Sequence, residues 1–329
     1  MEGIVLWGSN NIFHVEPGNL REEPKFLDGL PQGVECRLKG KQLSGTARGY
    51  NPLAPGDRVS MSEPDLRGQG AQALIEERLP RRNEFVRWNR KRNAVQTIAA
   101  NLDLLIGISS PSEPPFRPRF IDRLSVVAEL SEIPFGVVLN KEDQGISEKV
   151  HRRLDVYREL GFTVVTSSAR DGSGVEELRG VIDSKEVAFL GQSGVGKSSI
   201  LNALEPAIGA RIGEVSRKYN RGRHTTTVAV RIPRPGEHGA IIDTPGIREI
   251  DLYAFPRDLI AWGFPEMKPR IPDCRIPGCS HLHEPGCAVR DALERAEIDP
   301  DRYESYRRIM EDHEISAKLS GEHRYGLGR

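Results

Sequence analysis

The residues best suited to bind a phosphate chain form one glycine-rich run. It comprises Gly191, Gln192, Ser193, Gly194, Val195, Gly196, Lys197, Ser198 and Ser199. A predicted strand at residues 187–190 precedes this run, and the apolar residues 200–204 after it can open a helix. In that setting the run matches the Walker A pattern, in which backbone N–H groups surround the phosphates and the lysine reaches the β and γ oxygens. We therefore predict a nucleotide site here, with Ser198 as a ligand of Mg²⁺.

A second motif on the phosphate side is Asp243-Thr244-Pro245-Gly246, which directly follows a predicted strand at residues 240–242. An aspartate at the end of such a strand can hold Mg²⁺ through water, and the N–H of Gly246 can face a γ-phosphate. Alone, these four residues would be an ordinary turn. Their position after a strand predicts a second side of the same site.

Two further motifs have the chemistry of guanine recognition. They are Asn140-Lys141-Glu142-Asp143, after a predicted strand at residues 135–139, and Ser168-Ala169, after one at residues 163–165. The Asp143 carboxylate can accept hydrogen bonds from N1–H and the 2-amino group of guanine, which adenine does not offer, while the Lys141 stem covers the ring. A backbone N–H of Ser168-Ala169 can donate to guanine O6. Either motif alone could be a surface turn, but together they follow strands whose carboxyl ends bind ligands in α/β sheets.

The segment 222–227 lies between the phosphate run and Asp243, the interval in which switch I of a GTPase falls. Thr226 is the favoured ligand of Mg²⁺ and the γ-phosphate, with Thr225 as the alternative. Ile247 stands where many GTPases carry a glutamine that orients the attacking water. His224 is a candidate catalytic residue for that task. A histidine in a basic loop equally suits phosphate binding, Ile247 equally suits packing, and the threonines alone could form a β-turn.

Three of the four cysteines cluster with a histidine near the C-terminus, as Cys274, Cys279, His281 and Cys287. Three thiolates and one imidazole favour a closed tetrahedral Zn²⁺ site without an open catalytic position. His283 is a second candidate for the imidazole ligand. Because the N-terminus has no pattern of an export signal, we expect reduced thiols and a metal rather than disulfides. We also expect zinc to supply much of the folding free energy of this small region.

Between residues 102 and 246, apolar strands alternate with amphipathic helices, which predicts a parallel sheet with its binding loops at one edge. One helix can be described closely from the sequence. Ser147 is suited to its N-cap, and Gly161 suits its C-terminal end. The apolar residues that recur on one face are Val150, Leu154, Tyr157 and Leu160. This helix is expected to pack on the sheet and carry no chemistry.

Smaller domains are expected on both sides of the sheet. Short β-type runs over residues 1 to 75 predict an OB-like barrel. A region rich in Pro, Cys and His begins near residue 256, followed by polar helical sequence from about 287 to 318. We predict domains at residues 1–92, 93–255 and 256–329. Residues 78–92 carry seven basic residues and one acidic residue, which fits either a nucleic-acid contact or a solvated linker.

The overall composition excludes some classes of protein. The 47 basic and 47 acidic residues give a net charge of zero, so the total charge indicates no particular partner. No stretch approaches the roughly 18 apolar residues that a membrane helix needs. We expect a cytoplasmic monomer without a membrane segment.

The order of the motifs is unusual, because the guanine motifs at 140 and 168 precede the phosphate run at 191. Joining the old chain ends of a GTPase domain and opening it elsewhere would keep the site intact. With all these motifs and the Glu284-Pro285-Gly286-Cys287 stretch in view, the chain resembles the circularly permuted, ribosome small subunit-dependent GTPase A family over nearly its whole length. The resemblance implies an N-terminal OB barrel, a permuted α/β P-loop GTPase domain and a C-terminal zinc domain.

The resemblance also implies GTP and GDP as ligands with Mg²⁺, late maturation of the 30S ribosomal subunit, rRNA contact through the outer domains, and GTP hydrolysis stimulated by the ribosomal particle. A competing hypothesis is an RNA-binding assembly module that holds guanine nucleotide as a structural ligand with negligible turnover, which Ile247 permits. A metabolic nucleotide kinase is disfavoured, because the Asn140–Asp143 motif selects guanine and no small-molecule acceptor site is evident.

Overall fold

The N-terminal strands close into a barrel. The computed structural model describes residues 1–9, 11–18, 26–27, 30–40, 51–65, 72–90, 92–206, 229–237, 239–244 and 250–320. The first strands are β1 (Glu2–Ser9), β2 (Ile12–Pro17), β3 (Phe26–Leu27), β4 (Leu30–Pro31), β5 (Val34–Leu38), β6 (Arg58–Met61) and β7 (Gln72–Arg78). In the order β1-β2-β5-β7-β6 five of them form a closed barrel around Val5, Phe13, Val15 and Ile75. The predicted OB-like barrel is confirmed.

A hairpin joins the barrel to the rest of the chain. Strands β8 (Glu84–Asn89) and β9 (Ala94–Ala100) pair antiparallel. Phe85 of this hairpin is fully buried in the core that also contains the apolar helix faces of the central domain. The predicted boundary after residue 92 falls in the turn of the hairpin, and the three domain limits stay a prediction.

The central domain is built on a sheet of six strands. These are β10 (Leu104–Ser109), β11 (Phe135–Asn140), β12 (Thr163–Ser167), β13 (Lys185–Gly191), β14 (Val230–Pro233) and β15 (Gly239–Asp243). Their spatial order is β12-β11-β10-β13-β15-β14, with only β14 antiparallel to its neighbour. Strands β10 and β11 are buried at every position because apolar side chains cover both faces of the sheet.

In the described part of the chain, four helices pack against this sheet: α1 (Pro118–Leu130), α2 (Glu148–Glu159), α3 (Val175–Ile182) and α4 (Lys197–Leu204). The close prediction for α2 is confirmed. The Ser147 hydroxyl accepts a hydrogen bond from Val150 N at 3.4 Å, and Leu154 and Tyr157 are buried. Gly161 beyond its end has a φ of 82°, a left-handed conformation that glycine adopts at no steric cost.

The sheet order explains how a permuted chain keeps one site. Strand β13, which leads into the phosphate run, lies between β10 and β15. From β10 the chain first adds β11 and β12 on one side, and then crosses to add β13 and β15 on the other. The carboxyl ends of these parallel strands share one edge, so the loops after β11, β12 and β13 and the end of β15 meet there whatever their order along the chain.

The C-terminal region packs on α1 and α2. It contains short 3₁₀ turns at Arg257–Gly263 and Lys268–Asp273, then α5 (Ala288–Glu294) and α6 (Pro300–Ser320). The helical sequence predicted from 287 to 318 is interrupted, since Ala296 has a φ of 56° and Pro300 opens a new helix. Proline suits the first turn of a helix, and it disfavours helical backbone in the residue before it. Among the described residues, no helix is both long and apolar enough to cross a membrane.

Candidate nucleotide site and metal centre

The phosphate run forms a tight loop between β13 and α4. Gly194 and Gly196 have φ values of 88° and 93°, which glycine adopts readily and other residues rarely do. A Cβ on Gly196 would lie 2.3 Å from Nδ2 of Asn140, so this position has no room for a side chain. The loop ends at the N-terminus of α4, where backbone N–H groups lack helical partners and can bind phosphate oxygens.

Lys197, the first residue of α4, folds back over this loop. Its Nζ donates hydrogen bonds to the carbonyl oxygens of Gly191 at 2.6 Å and Gln192 at 3.2 Å. Burial lowers the pKa of this ammonium, and the nearby Asp243 carboxylate opposes that shift. The lysine thus bridges the loop at the place where β and γ phosphates bind in a Walker A site.

Asp243 ends β15 beside the phosphate loop. Its Oδ1 is buried and has no hydrogen-bond partner among the residues that the structure describes. Burial raises the pKa of this carboxyl to about 6, although Lys197 pulls the pKa down. The next residue, Thr244, fixes the strand end by donating from its hydroxyl to the carbonyl of Phe189 in β13 at 2.9 Å. A buried carboxylate oxygen of this kind suits a hydrated Mg²⁺, so Asp243 fits that ion, and Ser198 on α4 stays the predicted ligand beside it.

Asn140 links the guanine side of the site to the phosphate side. Its buried side chain donates from Nδ2 to the carbonyl of Val195 in the phosphate loop at 2.9 Å. Its Oδ1 accepts the N–H of Ala169 at 3.1 Å. One amide therefore holds three loops together, and the motifs at 140, 168 and 191 lie at one site.

Asp143 lies at the guanine end, with its side chain 19% exposed. The Ser168 hydroxyl donates to its Oδ1 at 2.9 Å, and Nη1 of Arg170 lies 3.6 Å from its Oδ2. These contacts orient the carboxylate for the N1–H and 2-amino groups of a guanine. Lys141 has a φ of 66° and its Nζ donates to the carbonyl of Glu113 at 2.6 Å.

The prediction that Ser168-Ala169 donates a backbone N–H to guanine O6 stays a prediction. The N–H of Ala169 is bonded to Asn140, and the N–H of Ser168 donates to the carbonyl of Ser173 at 2.9 Å. Both backbone groups of the Ser168-Ala169 motif are thus engaged within the protein. This motif donates hydrogen bonds to the side chains of Asn140 and Asp143 and so holds them in place, which the dipeptide alone did not indicate.

Some predicted site residues lie outside the described part of the chain. These are His224, Thr225 and Thr226 of the switch I segment and Gly246 after Asp243. Ile247 lies there too. The remaining predicted residues of the nucleotide site, including Glu142 in the turn after Lys141, lie in the described part of the chain.

The three cysteines and the histidine near the C-terminus come together. One ligand atom from each of Cys274, Cys279, His281 and Cys287 lies within 4.8 Å of all the others. Nδ1 of His281 is 3.5 Å from the sulfurs of Cys274 and Cys287. His283, the alternative imidazole, is exposed and is not part of the cluster. Three thiolates and one imidazole at this spacing suit one structural Zn²⁺.

Three residues whose roles were not predicted from the sequence hold this zinc loop. The Glu284 carboxylate accepts the N–H groups of Ser280 at 2.8 Å and Leu282 at 3.2 Å. Burial would raise its pKa, but these hydrogen bonds outweigh that effect and hold the pKa well below its usual range. From α6, the Tyr303 and Tyr306 hydroxyls donate to the carbonyls of His281 and Ser280. In the sequence, two tyrosines three positions apart on a predicted helix were the available indication of this contact, because residues at that spacing lie on one helix face.

In the part of the chain that is described, the basic segment 78–92 connects neighbouring regions of the fold. Its arginines make ion pairs with acidic residues of the same chain: Arg81 with Asp57 and Glu84, Arg82 with Asp103, and Arg90 with Asp251. Trp88 meets the ring of Tyr253 edge-on at 4.9 Å. Much of the positive charge is thus neutralised internally, and a charge count along the sequence did not reveal this.

Comparison with known proteins agrees with the geometry. A family model described as RsgA GTPase matches residues 78–253. Two relatives, both named Small ribosomal subunit biogenesis GTPase RsgA, come from Chlorobaculum parvum (41% identity, 94% of this chain and 97% of the relative) and Borreliella burgdorferi (35% identity, 95% and 96%). The crystal structure of YjeQ from Thermotoga maritima has a TM-score of 0.70 at 27% identity, covering 95% of this chain and 98% of that one. YloQ, described as a circularly permuted GTPase, has a TM-score of 0.66 at 24% identity and shows the same fold.

The permuted sheet, the joined guanine and phosphate loops and the Cys₃His cluster are thus accompanied by similarity over nearly the full chain. GTP and GDP with Mg²⁺ are its ligands, and one Zn²⁺ fits the C-terminal cluster. The chain belongs to the RsgA GTPase family.

Proposed function

We propose that this GTPase docks on the small ribosomal subunit late in its maturation, that the particle stimulates GTP hydrolysis, and that hydrolysis releases the protein. The names of the relatives support the ribosomal partner. The observation that carries the proposal is the packing of residues 250–255, which leave the γ-phosphate side of the site and contact both outer regions of the chain.

Asp251 is the centre of that packing. Its Oδ2 accepts from Nε of Arg90 in the hairpin at 2.6 Å and from the Ser316 hydroxyl of α6 at 3.1 Å. Nearby, Nη1 of Arg123 donates to the carbonyl of Ile250 at 3.2 Å. A nucleotide-dependent change between Thr244 and Ile250 would therefore reach Asp251, which is bonded to the hairpin and to the C-terminal helix. This is a physical route from nucleotide state to docking surface.

Each site residue has a role in this proposal. The Gly191–Ser199 run binds the phosphates, and Asn140 to Asp143 bind guanine. Ser198 and Thr226, or Thr225 in its place, ligate Mg²⁺, with Asp243 acting through water and Gly246 facing the γ-phosphate. When bound, Mg²⁺ neutralises charge on the β and γ phosphates. Because Ile247 offers no polar group, His224 orients the attacking water.

The proposed partner is ribosomal RNA together with the ribosomal proteins bound to it. The barrel and the zinc loop lie at the two ends of the chain and are the surfaces proposed to contact rRNA. The protein would act as a monomer in the cytoplasm, where ribosomal subunits are assembled.

The test is GTP turnover with purified 30S particles, with 50S particles and with neither. We expect stimulation by 30S alone, and tighter binding to 30S with a non-hydrolysable GTP analogue than with GDP. Lys197→Ala should remove turnover in every condition. Absence of stimulation, or binding to 30S that ignores the nucleotide, would favour the assembly module with a structural nucleotide.

A matched pair of hairpin variants tests the route through Asp251. Arg90→Met removes the bond to Asp251, whereas Arg87→Met removes hydrogen bonds to Gln96 within the same hairpin. We expect Arg90→Met to keep GDP affinity but to lose most of the 30S stimulation, and Arg87→Met to keep both. Equal stimulation in the two variants would contradict the route.

A further inference from the structure

The loop between β10 and α1 lies on the rim of the nucleotide site. Strand β10 is bonded to β11 on one side and to β13 on the other, so its following loop emerges between the guanine loop and the phosphate loop. Within this loop the Ser110 hydroxyl donates to the carbonyl of Pro114 at 2.7 Å. A Cβ on Gly194 would come within 3.6 Å of Cδ of Pro114, which places the proline against the phosphate loop.

Gln144 ties this rim loop to the guanine loop. Its Oε1 accepts from the Ser112 hydroxyl at 2.8 Å and from the N–H of Glu113 at 3.3 Å. The carbonyl of Glu113 in turn accepts from Nζ of Lys141 at 2.6 Å. Lys141 and Gln144 are joined by a 3₁₀ turn, in which the N–H of Gln144 donates to the Lys141 carbonyl at 3.0 Å. Residue Glu113 is therefore held at its N–H and its carbonyl by two side chains of one turn.

The same contacts determine the course of the Lys141 side chain. Its Cε would lie 3.9 Å from a Cβ placed on Gly196, so the aliphatic stem passes beside the phosphate loop before Nζ reaches Glu113. A lysine has many rotamers, and restricting them costs free energy when a ligand binds. A stem that is already fixed meets the face of a purine ring without that cost.

Resting on the proposed binding of guanine by Asn140 to Asp143, we propose that Gln144 is a positioning residue for guanine nucleotides, acting through Glu113 to fix Lys141. Gln144 does not touch the nucleotide. Gln144 fixes the Lys141 stem, against which the face of the guanine ring lies, whereas Asp143 binds the edge of the base. Loss of the Gln144 acceptor therefore weakens the binding of GDP and of inosine diphosphate (IDP) by the same factor. It leaves kcat at saturating GTP unchanged.

The variants Gln144→Met and Gln144→Glu separate this role from general structure. Methionine keeps the length and removes the acceptor, while glutamate keeps an acceptor oxygen for Ser112 and Glu113. We expect Gln144→Met to raise the Kd of GDP by about 3- to 10-fold, the range for a neutral hydrogen-bonded contact. Gln144→Glu should stay within about 2-fold of the parent, and the exposed Gln32→Met in the barrel region should change nothing.

The coupling to Lys141 is tested by a double variant. In a Lys141→Ala background, Gln144→Met should cause no further loss of GDP affinity, because the residue it positions is gone. The measurements are Kd values for GDP and IDP by calorimetry, with melting temperatures as the folding control. A normal Kd in Gln144→Met, equal losses in the Met and Glu variants, a changed GDP to IDP ratio, or multiplying losses in the double variant would each overturn the proposal.

Discussion

A buried carboxylate between the GTPase domain and the zinc domain allows a quantitative prediction. Asp122 on α1 is fully buried and accepts four hydrogen bonds. The donors on α2 are Tyr157 Oη at 2.9 Å and Arg153 Nη2 at 2.6 Å, and those on α6 are Arg302 Nη1 at 3.0 Å and Ser305 Oγ at 2.5 Å. One carboxylate therefore joins helices of two domains.

Asp122→Asn keeps the shape of the side chain but changes its chemistry. The amide NH₂ would face donors where an acceptor stood, so at least two buried donors lose their partner. Breaking a buried ion pair costs about 3–5 kcal/mol. We expect the lower end, about 3 kcal/mol, because Arg153 keeps Asp299 and Arg302 keeps Glu266 as partners.

The assay is urea unfolding of the zinc-loaded full chain, followed by far-UV circular dichroism. The matched control is Asp155→Asn on α2, whose exposed pair with Arg158 should contribute less than about 1 kcal/mol. Limited proteolysis should show faster cleavage of the C-terminal region in Asp122→Asn alone. If Asp122→Asn unfolds within about 1 kcal/mol of the parent, the network does not hold the two domains together.

Three further predictions concern other links in the fold. Asn140→Ala removes both hydrogen bonds that join the guanine and phosphate loops, so GDP affinity should fall at least about 10-fold, measured by calorimetry, and an unchanged Kd would refute the linkage. Cys279→Ser, or a strong chelator, should release zinc and melt the C-terminal region while GDP binding survives; zinc loss without loss of structure would count against a folding role. Arg231→Met removes a buried guanidinium that pairs at 2.6 Å with the partly exposed carboxylates of Glu186 and of Glu16 in the barrel. It should lower the free energy of unfolding by about 2 kcal/mol in urea, less than for a fully buried pair because both carboxylates reach water, and an effect below about 1 kcal/mol would show that this bridge is dispensable.

The nucleotide loops could be predicted from sequence because their chemistry is local. Gly194 and Gly196 are needed for their backbone conformation, and Asp143 and Lys197 follow strands at fixed short distances. A motif together with its flanking strand therefore locates each group at the sheet edge. The Cys₃His cluster was predictable for the same reason, since its four ligands lie close along the chain.

The buried ion pairs could not be predicted in the same way. Arg153 lies on α2 among exposed charged residues, and its sequence neighbours do not distinguish it from them. It is buried because it pairs with Asp122 on α1 and with Asp299 just before α6, and both carboxylates lie far away along the chain. The basic hairpin was ambiguous for the same reason. Whether Arg90 faces RNA or Asp251 depends on a tertiary contact that no charge pattern contains.

The central claim is that one site reads guanine through Asp143 and phosphate through Lys197, although the two residues occur in reversed order along the chain. The most direct test is the affinity of Asp143→Asn for GDP and for xanthosine diphosphate, measured by calorimetry. An asparagine amide can donate to the O2 of xanthine but cannot accept from the N1–H and 2-amino groups of guanine as a carboxylate does. We predict that GDP affinity falls by about 10- to 100-fold while xanthosine diphosphate becomes the preferred ligand, and that adding Lys197→Ala weakens both. Unchanged GDP affinity in Asp143→Asn would contradict the claim.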